Sequence, residues 1–441
     1  MKISVKGCGY LGAVHAAAMA TLGHEVVGVD PDARKIELLQ SGETPFFEPG
    51  LDEILRAGLA SGRLSFSTET ERAAGAQVHF IAVGTPQSAD SGSADLSYVR
   101  AAIADLLPLL GPDQLVVGKS TVPVGTAAEL ARLVSETGAR LAWNPEFLRE
   151  GFAVQDTIAP DRLVYGVDRE SGDADAAVLD AVYAEALAAG TPRIVTDYAT
   201  AELVKVAANS FLATKISFIN AMSEIAETVG ADVVTLADAI GHDERIGRKF
   251  LGAGLGFGGG CLPKDIRAFV ARAEELGTGE SVAFLKQMDE INLRRRQRVV
   301  DLVVGSFDGS DLGDGATPLA GRSVAMLGLS FKPNSDDVRD SPALDVAARL
   351  HALGAVVSAY DPETNRNAAA RVPDLRYCDS VEDAVRGAEI VVLGTEWLEF
   401  RELDPAGLRT QVERAVIVDG RNALDPDAWR GAGWTYHGMG R

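Results

Sequence analysis

The stretch Ile3–Gly12, ISVKGCGYLG, decides how the rest of the chain is read. A β-branched run enters Gly7, and Gly7, Gly9 and Gly12 then form G-x-G-x-x-G where a helix would open. Each glycine has its own task in a dinucleotide site. Gly7 permits the tight turn, Gly9 lets the backbone approach a pyrophosphate, and Gly12 lets helix and strand pack closely. The helix N-terminus that follows favours negative charge. Asp30 closes the next predicted strand about twenty residues on, where a carboxylate accepts hydrogen bonds from an adenosine ribose and repels a 2′-phosphate. NAD rather than NADP is the expected cofactor, with Arg34 and Lys35 nearby as the opposing signal.

Outward from this turn, from Lys2 to about Tyr198, short β-branched runs (EVVGVD, VHFIAVG, QLVVGKS, RLVYGV) alternate with Ala/Leu-rich segments. That alternation predicts a parallel sheet with crossover helices. From Thr200 to about Ser306 strand signals vanish, and Thr200–Gly230 reads as one long helix stopped by Gly230. A linker, GSDLGDG, precedes a second alternation: SVAMLGLSF, AVVSAYDP, EIVVLGT and AVIVDGRN. The third region echoes the first, but Gly9 becomes Ser330 and Gly12 has no counterpart, so the second half is not expected to hold a pyrophosphate in the same way. The expected architecture is α/β: two Rossmann-like doubly wound parallel-sheet domains, at 1–198 and 307–441, joined by a central helical domain at 199–306 with one long helix.

Composition narrows the function. At 441 residues with 46% hydrophobic content, the chain can bury large cores. No apolar run reaches the roughly 18 residues of a membrane span, and the N-terminus goes straight into a strand, so no signal peptide and a cytoplasmic location are expected. A formal charge of −21 argues against nucleic acid and anionic membranes as partners. An anionic ligand must therefore meet local cations. The six histidines lack metal-ligand spacing with Cys, Asp or Glu, and no metal is assigned. Three distant cysteines, Cys8, Cys261 and Cys378, fit reduced thiols. GPDQLVVGKS has six residues between Gly111 and Gly118 where a phosphate loop has four, which rejects an NTPase. Its continuation puts Thr121 at the carboxyl edge of a sheet, where ligands bind.

The stretch GLGFGGGCLPKD, Gly254–Asp265, carries the chemistry. Glycines at 254, 256, 258, 259 and 260 leave a backbone able to fold around a bound group and offer it N–H donors. Cys261 follows, with Lys264 and Asp265 close behind, in surroundings that favour a nucleophilic thiolate. Cys8 and Cys378 read as small core hydrophobes. Lys205 and Asn209 stand four apart on one helix face, among apolar neighbours that direct them into a cleft. In WNPEFLREG, Glu146 and Glu150, with Trp143 and Phe147, read as a cleft lining. A dinucleotide fold with a thiol implies oxidation of an alcohol to an aldehyde, capture as a hemithioacetal, a second oxidation to a thioester, and hydrolysis to an acid.

With these motifs, and with STVPVGT, RIGRKFLGAGLGFGGGCLPKD, GLSFKPNSDDVRDSP and VDGRN, the chain resembles the nucleotide-sugar dehydrogenases along essentially its whole length. That family includes UDP-glucose, GDP-mannose and UDP-N-acetylmannosamine enzymes, and ERIGRKFLGAG looks most like the UDP-glucose branch. The resemblance implies oxidation of UDP-glucose to UDP-glucuronate by NAD, with Cys261 as nucleophile. Lys205 and Asp265 then handle the 6-hydroxyl proton, Asn209 polarises the reacting oxygen, and Thr121 with Glu146 positions the hydrolytic water. It further implies cofactor contacts from Tyr10, Leu11, Lys35, Thr85, Thr121, Glu150 and Lys264 beside Gly7, Gly9, Gly12 and Asp30. Substrate contacts are implied for Glu146, Phe147, Leu148, Lys205, Asn209, Phe250 and Gly258, with Lys332 and Arg421 at the uridylyl diphosphate. Arg245 would reach across a dimer, and a homodimer or an oligomer of dimers is expected. Gly260 departs from the serine of many relatives. A two-electron β-hydroxyacid dehydrogenase, which needs no thiol, and a non-catalytic nucleotide-sugar sensor are the rival readings.

Overall fold

The computed structural model describes residues 1–88, 92–307, 313, 315 and 317–441. Apart from Gly313 and Gly315, the expected linker GSDLGDG lies outside the described residues. The chain divides into two compact units: Met1–Ala208 with Arg267–Gly279, and Asn209–Ile266 with Glu280–Arg441.

The first unit is built on an eight-stranded sheet. Its strands are β1 (Lys2–Lys6), β2 (Glu25–Val29), β3 (Leu64–Ser67), β4 (Val78–Ile81), β5 (Leu115–Gly118), β6 (Arg140–Trp143), β7 (Leu163–Gly166) and β8 (Arg193–Thr196), in the order β3-β2-β1-β4-β5-β6-β7-β8. The order reverses between β1 and β4, the crevice where a doubly wound sheet binds ligands at its carboxyl edge. Strands β4 and β5 are buried along their length, and β1 from Ile3 onward. This is the mark of a sheet covered on both faces. The alanine-rich helix Tyr10–Thr21 is buried from Gly12 to Ala20, since its small side chains let it lie close to the strands. One junction departs from the parallel pattern: β7 meets β6 antiparallel, with Trp143 opposite Gly166. Only the six-residue helix Ala153–Ile158 interrupts the chain between them. That chain does not return along the sheet, so β7 begins beyond the carboxyl end of β6 and runs back toward it.

The second unit carries β9 (Ser323–Leu327), β10 (Val356–Tyr360), β11 (Arg376–Tyr377), β12 (Ile390–Leu393), β13 (Val416–Asp419) and β14 (Thr435–Gly438). They are all parallel, in the order β11-β10-β9-β12-β13-β14. That is the order of the first six strands repeated, so the sequence echo is an echo of topology. Gly7 and Gly328 both take positive φ, 92° and 90°. Each donates its N–H at 2.8 Å to the last residue or so of the neighbouring strand, Gly7 to Val29 and Gly328 to Tyr360. Among the described residues no strand lies between β8 and β9; the middle of the chain is helical. Its long helix is Tyr198–Val229, 32 residues, followed by Gly230 at φ 71°. Leu262–Glu275 and Ala283–Gly305 follow. No helix among the described residues is long and apolar enough to cross a membrane.

Candidate active site

The glycine turn of the first unit fits a dinucleotide. A Cβ on Gly12 would stand 1.7 Å from the Gly7 carbonyl oxygen, and one on Gly7 2.6 Å from Val83, so neither position admits a side chain. A Cβ on Gly9 would meet no described atom within 4 Å, which leaves the space above the turn open to a ligand. Helix Tyr10–Thr21 starts there with no side-chain cap and no acid in its first turn, so its first N–H groups face that space. Asp30 is buried and accepts from the Cys8 N–H (2.7 Å), the Asp32 N–H (3.0 Å) and the Lys35 ammonium (2.8 Å). Lys35, placed with the cofactor by resemblance, is thus the partner of Asp30. Half-buried Leu11 packs on the core, and Thr85 donates to the Thr121 carbonyl at 2.9 Å. The Tyr10 hydroxyl donates to Glu48, a residue the motifs did not mark. Buried Glu48 also accepts the Gly151 and Ala153 N–H groups at 2.7 Å each, anchoring the backbone just past buried Glu150 to the glycine turn.

At the carboxyl ends of β5 and β6 the same unit gathers a second cluster. Glu146 curls back so that one oxygen accepts the N–H groups of Phe147 (2.8 Å) and Leu148 (3.1 Å). The other oxygen pairs with Lys119 at 2.9 Å, with the two side chains only 15% and 4% exposed. The Phe147 ring carries the Arg162 guanidinium 3.9 Å from its centroid and the Lys205 ammonium 5.5 Å away. Trp143 does not line a cleft as the sequence suggested. It is fully buried against Gly118, where a Cβ would lie 2.1 Å from its ring, because strand alternation turns Trp143 inward just before the chain leaves the sheet.

In the second unit Cys261 is exposed and immediately precedes helix Leu262–Glu275, its carbonyl accepting the Asp265 N–H at 2.9 Å. The sequence placed this thiol on a loop; the structure adds a helix N-terminus, which favours a thiolate. Asp265 is buried, accepts from Asn209 at 2.7 Å and pairs with Lys264 at 3.0 Å. Burial raises the thiol pKa of Cys8, helped by the Asp30 charge, and raises that of Cys378, so both behave as core residues.

The five glycines, however, serve the chain itself. A Cβ would fall 2.7 Å from the Gly420 oxygen at Gly254, 2.4 Å from Asn292 at Gly256, 2.2 Å from the Asp340 oxygen at Gly258, 2.7 Å from the Phe331 ring at Gly259 and 2.4 Å from Arg339 at Gly260. Much of the loop's N–H capacity is likewise spent internally. Gly254 donates to Asn220 (2.9 Å), Phe257 to Asn292 (2.7 Å), Gly259 to the Arg339 carbonyl (2.9 Å) and Gly260 to Asp337 (3.3 Å). Buried Asn292 returns a bond to the Phe257 carbonyl at 2.9 Å, gripping that residue from both sides. Arg421 does not balance Asp419 through its side chain. Its guanidinium donates to the carbonyls of Gly394 (2.8 Å), Gly256 (3.0 Å) and Phe331 (2.9 Å) and pairs with Glu396 at 3.2 Å. The Lys332 ammonium stands 5.3 Å from the Phe331 ring centroid. Arg245 is exposed and bonded to Asp243 of its own chain, and exposed Phe250 takes φ 66°.

Comparison with known proteins agrees along the whole chain. Three family models match: the NAD binding domain of the UDP-glucose/GDP-mannose dehydrogenase family at residues 1–187, its central domain at 199–294 and its UDP binding domain at 325–426. A UDP-glucose 6-dehydrogenase of Rhizobium meliloti is 42% identical over 446 residues, spanning all of both chains. The structure of a UDP-glucose dehydrogenase from Pyrobaculum islandicum superposes with a TM-score of 0.88 at 41% identity, over 100% of this chain and 97% of that one. A UDP-D-ManNAc dehydrogenase from Pyrococcus horikoshii gives 0.84 at 26% identity, over 100% and 99%. The cofactor is NAD, and the protein is an NAD-dependent nucleotide-sugar oxidoreductase. The chain belongs to the UDP-glucose/GDP-mannose dehydrogenase family.

Proposed function

We propose that the protein oxidises UDP-glucose to UDP-glucuronate in two successive two-electron steps, through a covalent intermediate on Cys261. NAD, held at the glycine turn by the helix N-terminus and Asp30, supplies the hydride acceptor, two per sugar. Lys205 and Asp265 take up the proton of the 6-hydroxyl, and Asn209, bonded to Asp265 at 2.7 Å, steadies the oxygen. The Cys261 thiolate then adds to the aldehyde carbon; a C–S bond forms and the oxygen is protonated, giving a hemithioacetal. After the second oxidation the sugar is a thioester. Water held by Thr121 and Glu146 adds to its carbonyl and gives a proton to Glu146. The C–S bond breaks, thiolate leaves with the electron pair, and the acid is released. Lys332 and Arg421 are assigned to the uridylyl diphosphate.

The observation that carries this reading is the exposed thiol at the head of a helix, for which a two-electron β-hydroxyacid dehydrogenase has no use. The names of the relatives favour UDP-glucose. Counting NADH per UDP-glucose tests it: two with uronate as product is expected, one would indicate the two-electron rival, and none a sensor. The same assay with GDP-mannose and UDP-N-acetylmannosamine ranks the sugars. We also propose a homodimer of the cytoplasmic protein, formed on the long helix. There Phe211, Phe218 and Ile225, spaced by seven residues on one side of the helix, are all exposed.

A further inference from the structure

The proposed chemistry gives buried Lys119 no task. Lys119 sits at the carboxyl end of β5, 4% exposed, with Glu146 as its carboxylate partner. Its ammonium donates to the Asn144 side-chain carbonyl (3.1 Å) and the Tyr183 hydroxyl (3.3 Å). The rings of Phe80 and Tyr183 flank it at 5.8 and 5.9 Å. We propose that Lys119 is a positioning residue for thioester hydrolysis, holding one Glu146 oxygen so that the carboxylate faces the attacking water in one orientation. This rests on the reading of Glu146 as the base.

Three features support it. The Glu146 carboxylate is held on both oxygens: two backbone N–H groups fill the lone pairs of one, and the ammonium takes one lone pair of the other, whose second lone pair is left for a further donor. Neighbouring His15 and Tyr183 do not compete with Glu146 as charged groups. Burial, and then Lys119 itself, holds His15 well below the usual histidine range, and burial with the Glu146 charge raises Tyr183 far above the tyrosine range, so both are neutral. Asp156 is engaged by Arg149 at 2.7 Å, while Arg162 and Lys205 stand against Phe147. Beside the pair lies a cavity of 20 Å³, lined by Lys119, Asn144, Glu146, Asp161, Arg162 and Tyr183, room for about one water molecule with several polar partners. A buried ion pair gives little stability over an apolar pair of the same shape. A lysine kept here beside a water-sized space serves the carboxylate it holds.

Four variants test this in the full-length enzyme with UDP-glucose and NAD: Lys119→Met, Lys119→Arg, Glu146→Gln and the double Lys119→Met/Glu146→Gln. The readouts are NADH formed in the first turnover, uronate released, and the sugar adduct on Cys261 by intact mass after acid quench. Lys119→Met should keep the first oxidation within about twofold and slow uronate release by about 100-fold, the scale for a misplaced catalytic group. Adduct should accumulate, and Lys119→Arg should restore most of the release. In the Glu146→Gln background the methionine should add no further loss. Glu146→Gln releasing uronate at the parent rate would sink the reading of Glu146 as base. Adduct accumulating in Glu146→Gln but not in Lys119→Met would overturn the role of Lys119 alone. Should Lys119→Met not fold, the double variant, which leaves no lone buried charge, decides: further loss beyond Glu146→Gln overturns the proposal, and no further loss supports it.

Discussion

Replacing Gly258 and Gly260 separately by alanine asks what the glycines before Cys261 are for. At Gly258 the new methyl would lie 2.2 Å from the Asp340 carbonyl oxygen and 2.6 Å from the Pro342 ring. Neither can yield. Asp340 is held at φ 48° with its carbonyl and carboxylate bonded to Arg296, and Pro342 opens helix Pro342–Ala352. Relieving the overlap requires a backbone movement of about 1 Å, so the cost should reach the upper end of overpacking, about 3 kcal/mol. At Gly260 the methyl would meet only the guanidinium end of Arg339, at 2.4 Å. That side chain is 54% exposed, and its Asp337 pair is worth under about 1 kcal/mol at such exposure. Thermal melts should show Gly258→Ala lowered by roughly 5–10 °C and Gly260→Ala by less than about 3 °C. Catalysis should follow the same ranking, because the clash at Gly258 shifts the backbone that leads to Cys261, whereas the one at Gly260 is relieved by an exposed side chain. A stable Gly258→Ala beside an inactive Gly260→Ala would refute the packing argument and return the glycines to ligand binding.

Cys261→Ser should abolish uronate formation, since a serine ester does not turn over as a thioester does, while Cys8→Ser and Cys378→Ser stay active; full uronate production by Cys261→Ser would disprove covalent catalysis. Asp30→Ala should narrow the preference for NAD over NADP by about 1.5–3 kcal/mol, measured as the ratio of kcat/KM values. Its loss also releases Lys35, a cation for a 2′-phosphate, and equal use of both cofactors by the parent would contradict the argument. Arg421→Lys replaces a planar fork, whose three nitrogens each bond a different carbonyl, by one point charge that cannot span them, so kcat should fall and the sugar-nucleotide KM rise with NAD KM unchanged; equal loss for both ligands would indicate misfolding. Phe218→Asp on the long helix should convert a dimer to monomers in sedimentation velocity, and an unchanged mass would exclude that face.

What could be read without a structure was whatever local spacing encodes. Gly7, Gly9 and Gly12 impose a turn by backbone sterics alone, and Asp30 follows at the end of a strand whose alternation is visible. The long helix announces itself by period and by Gly230, and the repeated Asp-Pro after β2 and β10 exposed the duplicated strand order. The four edge strands β3, β8, β11 and β14 passed unread, because a strand at a sheet edge is partly exposed and lacks the continuous buried β-branched run of the central strands. The candidate residues Cys261, Lys205, Asn209, Asp265 and Glu146 were found by residue type and motif, but their partners were not. Lys119 and Glu146 lie 27 positions apart and meet only because the register pairs Gly118 with Trp143, carrying both side chains to one edge of the sheet. Glu48 reaches Gly151 and Ala153 across about a hundred residues, and Asn292, on helix Ala283–Gly305, clamps Phe257 in the glycine-rich loop. Short-range sterics and periodicity are written in the order of residues. A buried charge's partner, or the atom that forbids a side chain on a glycine, is chosen by which distant segments the packed sheet brings together, and that only the tertiary structure decided.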